Sequence, residues 1–109
     1  MKVTDVSMLP VSPNPHHVDA RIAYNSPPVI AMVITLRPGE ALKEHTTPVD
    51  VFFYVLEGIG CAEIGDERTT VGKDMLIECP ARIPHRWANE STGLFRLLAV
   101  KIFRPAGET

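Results

Sequence analysis

The sequence is short of cysteine, has no basic cluster and has no long apolar stretch, and each shortage removes a class of protein. Two cysteines in 109 residues, Cys61 and Cys79, are too few and too far apart to staple a small secreted scaffold, so both read as packed or free thiols. No segment approaches the roughly 18 apolar residues that a membrane helix needs, so no membrane partner is expected. The N-terminus, MKVTDVSMLPVSPN, has an early lysine but also an aspartate and then prolines, and it holds no apolar run that would serve as a signal-peptide core. The expected location is therefore the cytoplasm. With a formal net charge of −2 and no basic run, nothing offers a phosphate backbone a surface to track, so nucleic acid is not an expected partner. A capped 3.6-residue apolar period is also missing, which disfavours a helix-rich fold, and no repeat of solenoid length is present.

What the chain does contain is punctuation. Ten prolines and seven glycines interrupt it at short intervals, and the segments between them are rich in Val, Ile, Phe and Thr, which is the spacing of strands and turns. The runs Val29 to Leu36 and Val51 to Leu56 end at Arg37-Pro38-Gly39 and Glu57-Gly58 and read as buried strands. Further strands are expected at Arg21 to Tyr24, Ile59 to Ile64, Arg68 to Val71, Met75 to Cys79, His85 to Asn89 and Leu94 to Phe103, with a hairpin turn at Ile64-Gly65-Asp66-Glu67. Many short strands with frequent turns predict an all-β sandwich or barrel. The first 18 residues differ, since Pro10, Pro13 and Pro15 alternate with Ser and Asn, and they predict an extended arm. The expected organisation is an arm over residues 1–18 and a single barrel domain over 19–109, the size of one core.

Two segments carry a resemblance. Residues 38–58, PGEALKEHTTPVDVFFYVLEG, resemble the first motif of the cupin superfamily, a Gly, five residues, His-x-His, three or four residues, Glu, six residues and Gly; Gly39, His45 and Gly58 fall in register. Gly72 followed by PARIPHRWAN, residues 80–89, resembles the second motif, with Pro80, His85 and Asn89 in place. The resemblance implies a double-stranded β-helix, the cupin or jelly-roll barrel, whose motif His and Glu residues line the barrel mouth around one divalent metal, commonly in a protein that dimerises through a sheet face. Two of the four implied ligand positions are changed. Thr47 stands where the second His belongs and Val51 where the Glu belongs, so only His45 and His85 carry over.

Alternation along a strand sends residues of one parity to one face. His45 and Thr47, then Val51, Phe53 and Val55, and likewise His85 with Trp87, are thereby expected inside the barrel, giving an apolar pocket that holds two imidazoles, a hydroxyl and an indole. Two imidazoles alone make a weak metal site, since a divalent ion usually takes three or four protein ligands. Asp50 lies one residue from the changed Glu position, and a bulge at the Pro48 turn would bring its carboxylate in as a third ligand. Cys79 precedes Pro80 on the approach to His85 and reads either as a soft ligand or as a small buried hydrophobe. His16 and His17 on the arm read either as surface residues or as groups reaching a pocket of the same or a neighbouring subunit.

Three functions stay open at this stage. The first is a metal-dependent enzyme using His45, His85 and Asp50 to hold Fe, Mn, Zn or Ni, which the sequence does not distinguish, for oxygenase, isomerase or decarboxylase chemistry. The second is a metal-free module that binds a small-molecule ligand in the pocket formed by Thr47, Val51, Phe53, Cys79 and Trp87, with the imidazoles as hydrogen-bond partners. The third is a structural or interaction barrel. Phe52, Tyr54 and Leu56 project from the opposite face of their strand, an apolar row that predicts a homodimer. No residue receives a catalytic role from sequence.

Overall fold

The computed structural model describes residues 1–104 and contains nine strands and one short 3-10 turn, Val6–Met8. The strands are β1 (Asp19–Ser26), β2 (Val29–Leu36), β3 (Ala41–His45), β4 (Asp50–Glu57), β5 (Ile59–Ile64), β6 (Glu67–Gly72), β7 (Leu76–Cys79), β8 (His85–Ala88) and β9 (Phe95–Ile102). They form a five-stranded sheet in the order β1-β2-β9-β4-β7 and a four-stranded sheet in the order β3-β8-β5-β6, with every pairing antiparallel. This is the all-β architecture that the turn spacing predicts, in the double-stranded β-helix form that the resemblance implies. β3 is an addition to the strands read from composition, because its ALKEH sequence lacks an apolar run. The β5–β6 hairpin turns at Gly65-Asp66, with Ile64 paired to Glu67.

The two sheets face each other across a core built by alternation. On β4, Val51, Phe53 and Val55 point inward; on β9, Phe95, Leu97 and Ala99 do so; on β8, His85 and Trp87. Rings stack through the interior, with Phe53 and Trp87 centroids 4.8 Å apart and Trp87 and Phe95 5.9 Å apart. Such pairs add roughly 0.5–1.5 kcal/mol each beyond the area they bury.

One end of the barrel is sealed. Leu36, Trp87, Phe95 and Leu97 are fully buried there. Asn89 closes the same end: its Nδ2 donates to the carbonyls of Leu36 (2.9 Å) and Gly93 (2.8 Å), while its Oδ1 accepts from the backbone N–H (3.0 Å) and hydroxyl (2.6 Å) of Ser91. Every polar atom of this buried amide is therefore engaged, which ties the end of β2 to the β8–β9 loop. Gly58 makes the turn out of β4 at φ +82°, and a Cβ there would run into the carbonyl oxygen of Leu94. No other residue fits that turn without moving backbone.

The N-terminal arm is strapped to the barrel. The Arg21 guanidinium donates to the carbonyls of Val6 (3.2 Å) and Ser7 (2.8 Å), holding the 3-10 turn against the five-stranded sheet. Ser12 N–H donates to the Ala20 carbonyl (2.7 Å). Asn14 then folds the chain toward the barrel mouth, its Nδ2 donating to the carbonyls of Ser12 (3.0 Å) and Val18 (2.8 Å) and its Oδ1 accepting from the N–H groups of His16 (3.1 Å) and Val18 (3.3 Å). Among the described residues, no helix is long and apolar enough to cross a membrane.

Candidate functional site

The end of the barrel opposite Asn89 is open, and β3, β8, β9 and the arm bring polar groups to it. β8 begins there with His85, which is buried, and β3 ends there with His45, which is half-buried. These two residues pair across the strands, and their ring centroids lie 4.1 Å apart. Both His45 and Leu42 face inward although three positions separate them, because β3 carries an irregularity between Leu42 and His45: Leu42 pairs with Trp87, but His45 pairs with His85. That extra residue re-aims His45 into the barrel.

A cavity of about 230 Å³ opens over the pair. Its wall is apolar, including Ile34, Leu42, Val51, Phe53 and Ala99, and its polar rim holds His16, His45, Thr47, His85 and Lys101. His16 and Lys101 are not among the ligand candidates that the motif register selects. His16 arrives on the strapped arm, with its ring centroid 5.1 Å from that of His45. Lys101 sits at the end of β9 and continues the inward parity of Phe95, Leu97 and Ala99. His17, the neighbour of His16, is exposed and lines a different and larger cleft of about 490 Å³ between the arm and the turn at Arg37 to Glu40. The carboxylates of that cleft are already engaged, Asp19 with Arg21 (2.9 Å) and Glu40 with the Arg37 N–H (2.7 Å).

Other residues expected in the pocket sit elsewhere. Asp50 does not line the histidine cavity. β4 pairs regularly from Asp50 to Val55, so Asp50 keeps the outward parity of Phe52; the irregularity that would have turned it inward falls in β3 instead. Its carboxylate accepts from Ala81 N–H (2.9 Å) and Arg104 (3.3 Å), and these two bonds hold its pKa below the usual carboxylate range. Cys79 is buried beside Val51 and lines the Asp50 cleft, where burial and the nearby Asp50 charge push its thiol pKa up. Trp87 lies beneath Phe53 in the sealed core, and its indole N–H has no partner among the described residues. Thr47, Val51 and Phe53 do line the cavity, but the Thr47 hydroxyl donates to the Val49 carbonyl (2.9 Å).

Hydrogen bonding fixes the state of each imidazole. His45 Nδ1 lies 2.9 Å from the Lys43 carbonyl and His85 Nδ1 lies 3.2 Å from the Ile83 carbonyl. A carbonyl only accepts, so both Nδ1 atoms carry hydrogen, which leaves Nε2 as the nitrogen that can offer a lone pair in each ring. His16 is the reverse: its Nδ1 accepts from the Lys43 backbone N–H (2.9 Å), so its hydrogen is on Nε2. Burial pushes the pKa of His85 down, the Ile83 carbonyl opposes it less strongly, and His45, Lys101 and His16 add smaller downward contributions. Burial also lowers the pKa of His16, with smaller contributions from His45, Lys43 and His17. At neutral pH the rim therefore presents neutral imidazoles at His16 and His85, with the His85 ring an acceptor and the His16 ring a donor.

This donor set does not suit a tightly held divalent cation. Two Nε2 lone pairs are available, the lone pair of His16 is used by Lys43, and the cavity lining contains no aspartate or glutamate. The Lys101 ammonium opposes a cation further. Among the described residues, no group of three or more His, Cys, Asp or Glu side chains is set to hold a metal.

Comparison with known proteins gives a consistent result for the architecture. The family described as cupin domain matches residues 32–101. The crystal structure of TT1209 from Thermus thermophilus is 30% identical, with 96% of this chain and all of that one aligned at a TM-score of 0.81. A predicted oxalate decarboxylase from Thermotoga maritima aligns over 94% of this chain and all of its own at 15% identity and a TM-score of 0.86. The polyketide cyclase RemF from Streptomyces resistomycificus aligns over 95% of this chain and 80% of its own at 18% identity and a TM-score of 0.83. The last two likenesses establish the fold and nothing finer. No curated protein matches the sequence.

Proposed function

The chain belongs to the cupin family, and from that footing we propose that its open barrel end binds a small organic molecule through imidazole hydrogen bonds and without a metal. The observation that carries this reading is the opposed set of ring states, with Nε2 acceptors on His45 and His85 and an Nε2–H donor on His16, around one apolar cavity. A mostly apolar wall with a few convergent polar groups is the usual composition of a ligand site. At about 230 Å³ the cavity lies below the roughly 300–1,000 Å³ range of drug-sized sites, so the occupant is a compact metabolite. Cupin structures similar to this one include proteins with differing activities, and a neutral His85 supplies a base for proton transfer as readily as a binding contact.

The test follows the imidazole Cε1–H resonances of chelator-treated protein during a fragment titration. The expected result is that one fragment class shifts the His16, His45 and His85 signals together and does so equally with and without added Zn or Mn. Fragment binding that requires the metal, or metal that shifts His45 and His85 at stoichiometric concentration, would restore the metal-dependent enzyme.

The outer face of the five-stranded sheet supports pairing of two copies. Two registered rows cross it, Ala31, Val100 and Phe52 in one and Leu98, Tyr54 and Leu76 in the other. Such a band is wide for a monomer in water. A monomer mass in sedimentation at micromolar concentration would remove this part of the proposal. The two free thiols, both buried, are compatible with the cytoplasm as the location.

A further inference from the structure

We infer that the ligand of the open end is a small monoanionic acid with an apolar body, bound by Lys101 and His16; this rests on the reading of the cavity as a binding site and deepens it. Lys101 lies on the inward parity of β9, half-buried on the cavity rim, beside Val51 in register. A charge held partly out of water is normally paired in proteins. Lys101 has no carboxylate partner among the described residues. Asp50, which pairs with the adjoining Ile102, faces the other cleft and is bound to Ala81 and Arg104.

The lining as a whole is one-sided in charge. It includes one ammonium and no acidic side chain, in a chain whose formal net charge is −2. A cavity of this sign in an otherwise acidic molecule selects against cations and favours an anion. The donors also match. The Lys101 ammonium and the His16 Nε2–H are hydrogen donors on one rim, as a carboxylate requires, while the Nε2 atoms of His45 and His85 accept and so suit a hydroxyl or enol hydrogen on the same molecule. Ile34, Leu42, Phe53 and Ala99 then require that the rest of the molecule be apolar. At about 230 Å³ there is room for a short branched chain or a single ring.

The experiment titrates matched pairs of probes into the full chain and reads imidazole shifts and heats of binding: benzoate with benzamide, 4-hydroxybenzoate with its amide, and 4-methyl-2-oxopentanoate with its amide. At least one acid is expected to bind tenfold or more tightly than its amide, and Lys101→Met is expected to abolish that preference while leaving the melting temperature within a degree or two. His16→Phe, which keeps a ring on the arm but removes the donor, is expected to weaken the acid. Equal binding of acids and amides, or a preference that survives Lys101→Met, overturns the anion while leaving the pocket in place. If no acid and no amide moves the three histidines, both the anion and the pocket fall.

Discussion

The two ends of the barrel use the same strands for opposite purposes. β8 contributes Trp87 to the sealed end and His85 to the open one; β9 contributes Phe95 to the first and Lys101 to the second; β4 contributes Val55 and then Val51. At the sealed end the side chains are large and fully buried, and the polar atoms of Asn89 are all hydrogen-bonded. At the open end a cavity remains between the sheets, a buried and a half-buried imidazole are placed 4.1 Å apart, and an ammonium has no counter-charge among the described residues. Packing is concentrated in one half, where the unpartnered indole N–H of Trp87 is the exception, and charged and titratable groups are concentrated in the other. A site that must bind something else has that character, because its polar groups are satisfied only when the ligand is present.

The largest effect expected from this contrast is at the sealed end. Trp87→Ala removes a fully buried indole stacked between Phe53 and Phe95 and should cost about 3–5 kcal/mol in chemical denaturation. Asn89→Ala should cost about 1–3 kcal/mol, since the carbonyls of Leu36 and Gly93 lose a buried donor. A loss below about 0.5 kcal/mol at either position, of the order typical for exposed sites, would show that this end is not where stability is concentrated.

Acid should act on the open end. The pKa values of His85 and His16 are lowered by folding, so the unfolded chain takes up protons first as pH falls below the ordinary histidine value of 6.5. The stability these two groups contribute is fully present above pH 6.5 and lost progressively as pH falls through their folded values. Melting temperature should therefore decline below pH 6.5 in the wild type, and less steeply in His85→Gln. An unchanged slope in that variant would mean that another group controls the acid limb. The smallest stability effect belongs to His45→Gln, at under about 1 kcal/mol, because this ring is only half-buried and one backbone hydrogen bond holds it. That variant should nevertheless lose most of the ligand response.

The sealed end was legible in the sequence for a physical reason. Its residues obey the two-residue alternation of regular strands, and its turns need glycine or asparagine at fixed places, as at Gly58 and Asn89. The open end depends on departures from regularity. His45 faces inward because of an irregularity in β3, and Asp50 stays outward because β4 has none there; parity counting cannot say which strand bends. His16 reaches the rim through a side-chain bracket at Asn14 and a bond to Lys43 that spans 27 residues, and neither leaves a mark in a proline-rich arm. Lys101 lay within reach of the same counting that selects Phe95, Leu97 and Ala99, but a lysine at a strand end ordinarily turns to solvent.

The most direct test is a crystal structure of chelator-treated protein soaked with the acid that binds most tightly in the paired titrations. The account predicts a carboxylate within hydrogen-bond distance of Lys101 Nζ and His16 Nε2, with the apolar body against Phe53 and Ile34 and no metal between His45 and His85. Density for the acid in the Asp50 and Arg104 cleft, or a metal ion held by His45 and His85 after chelation, would contradict it.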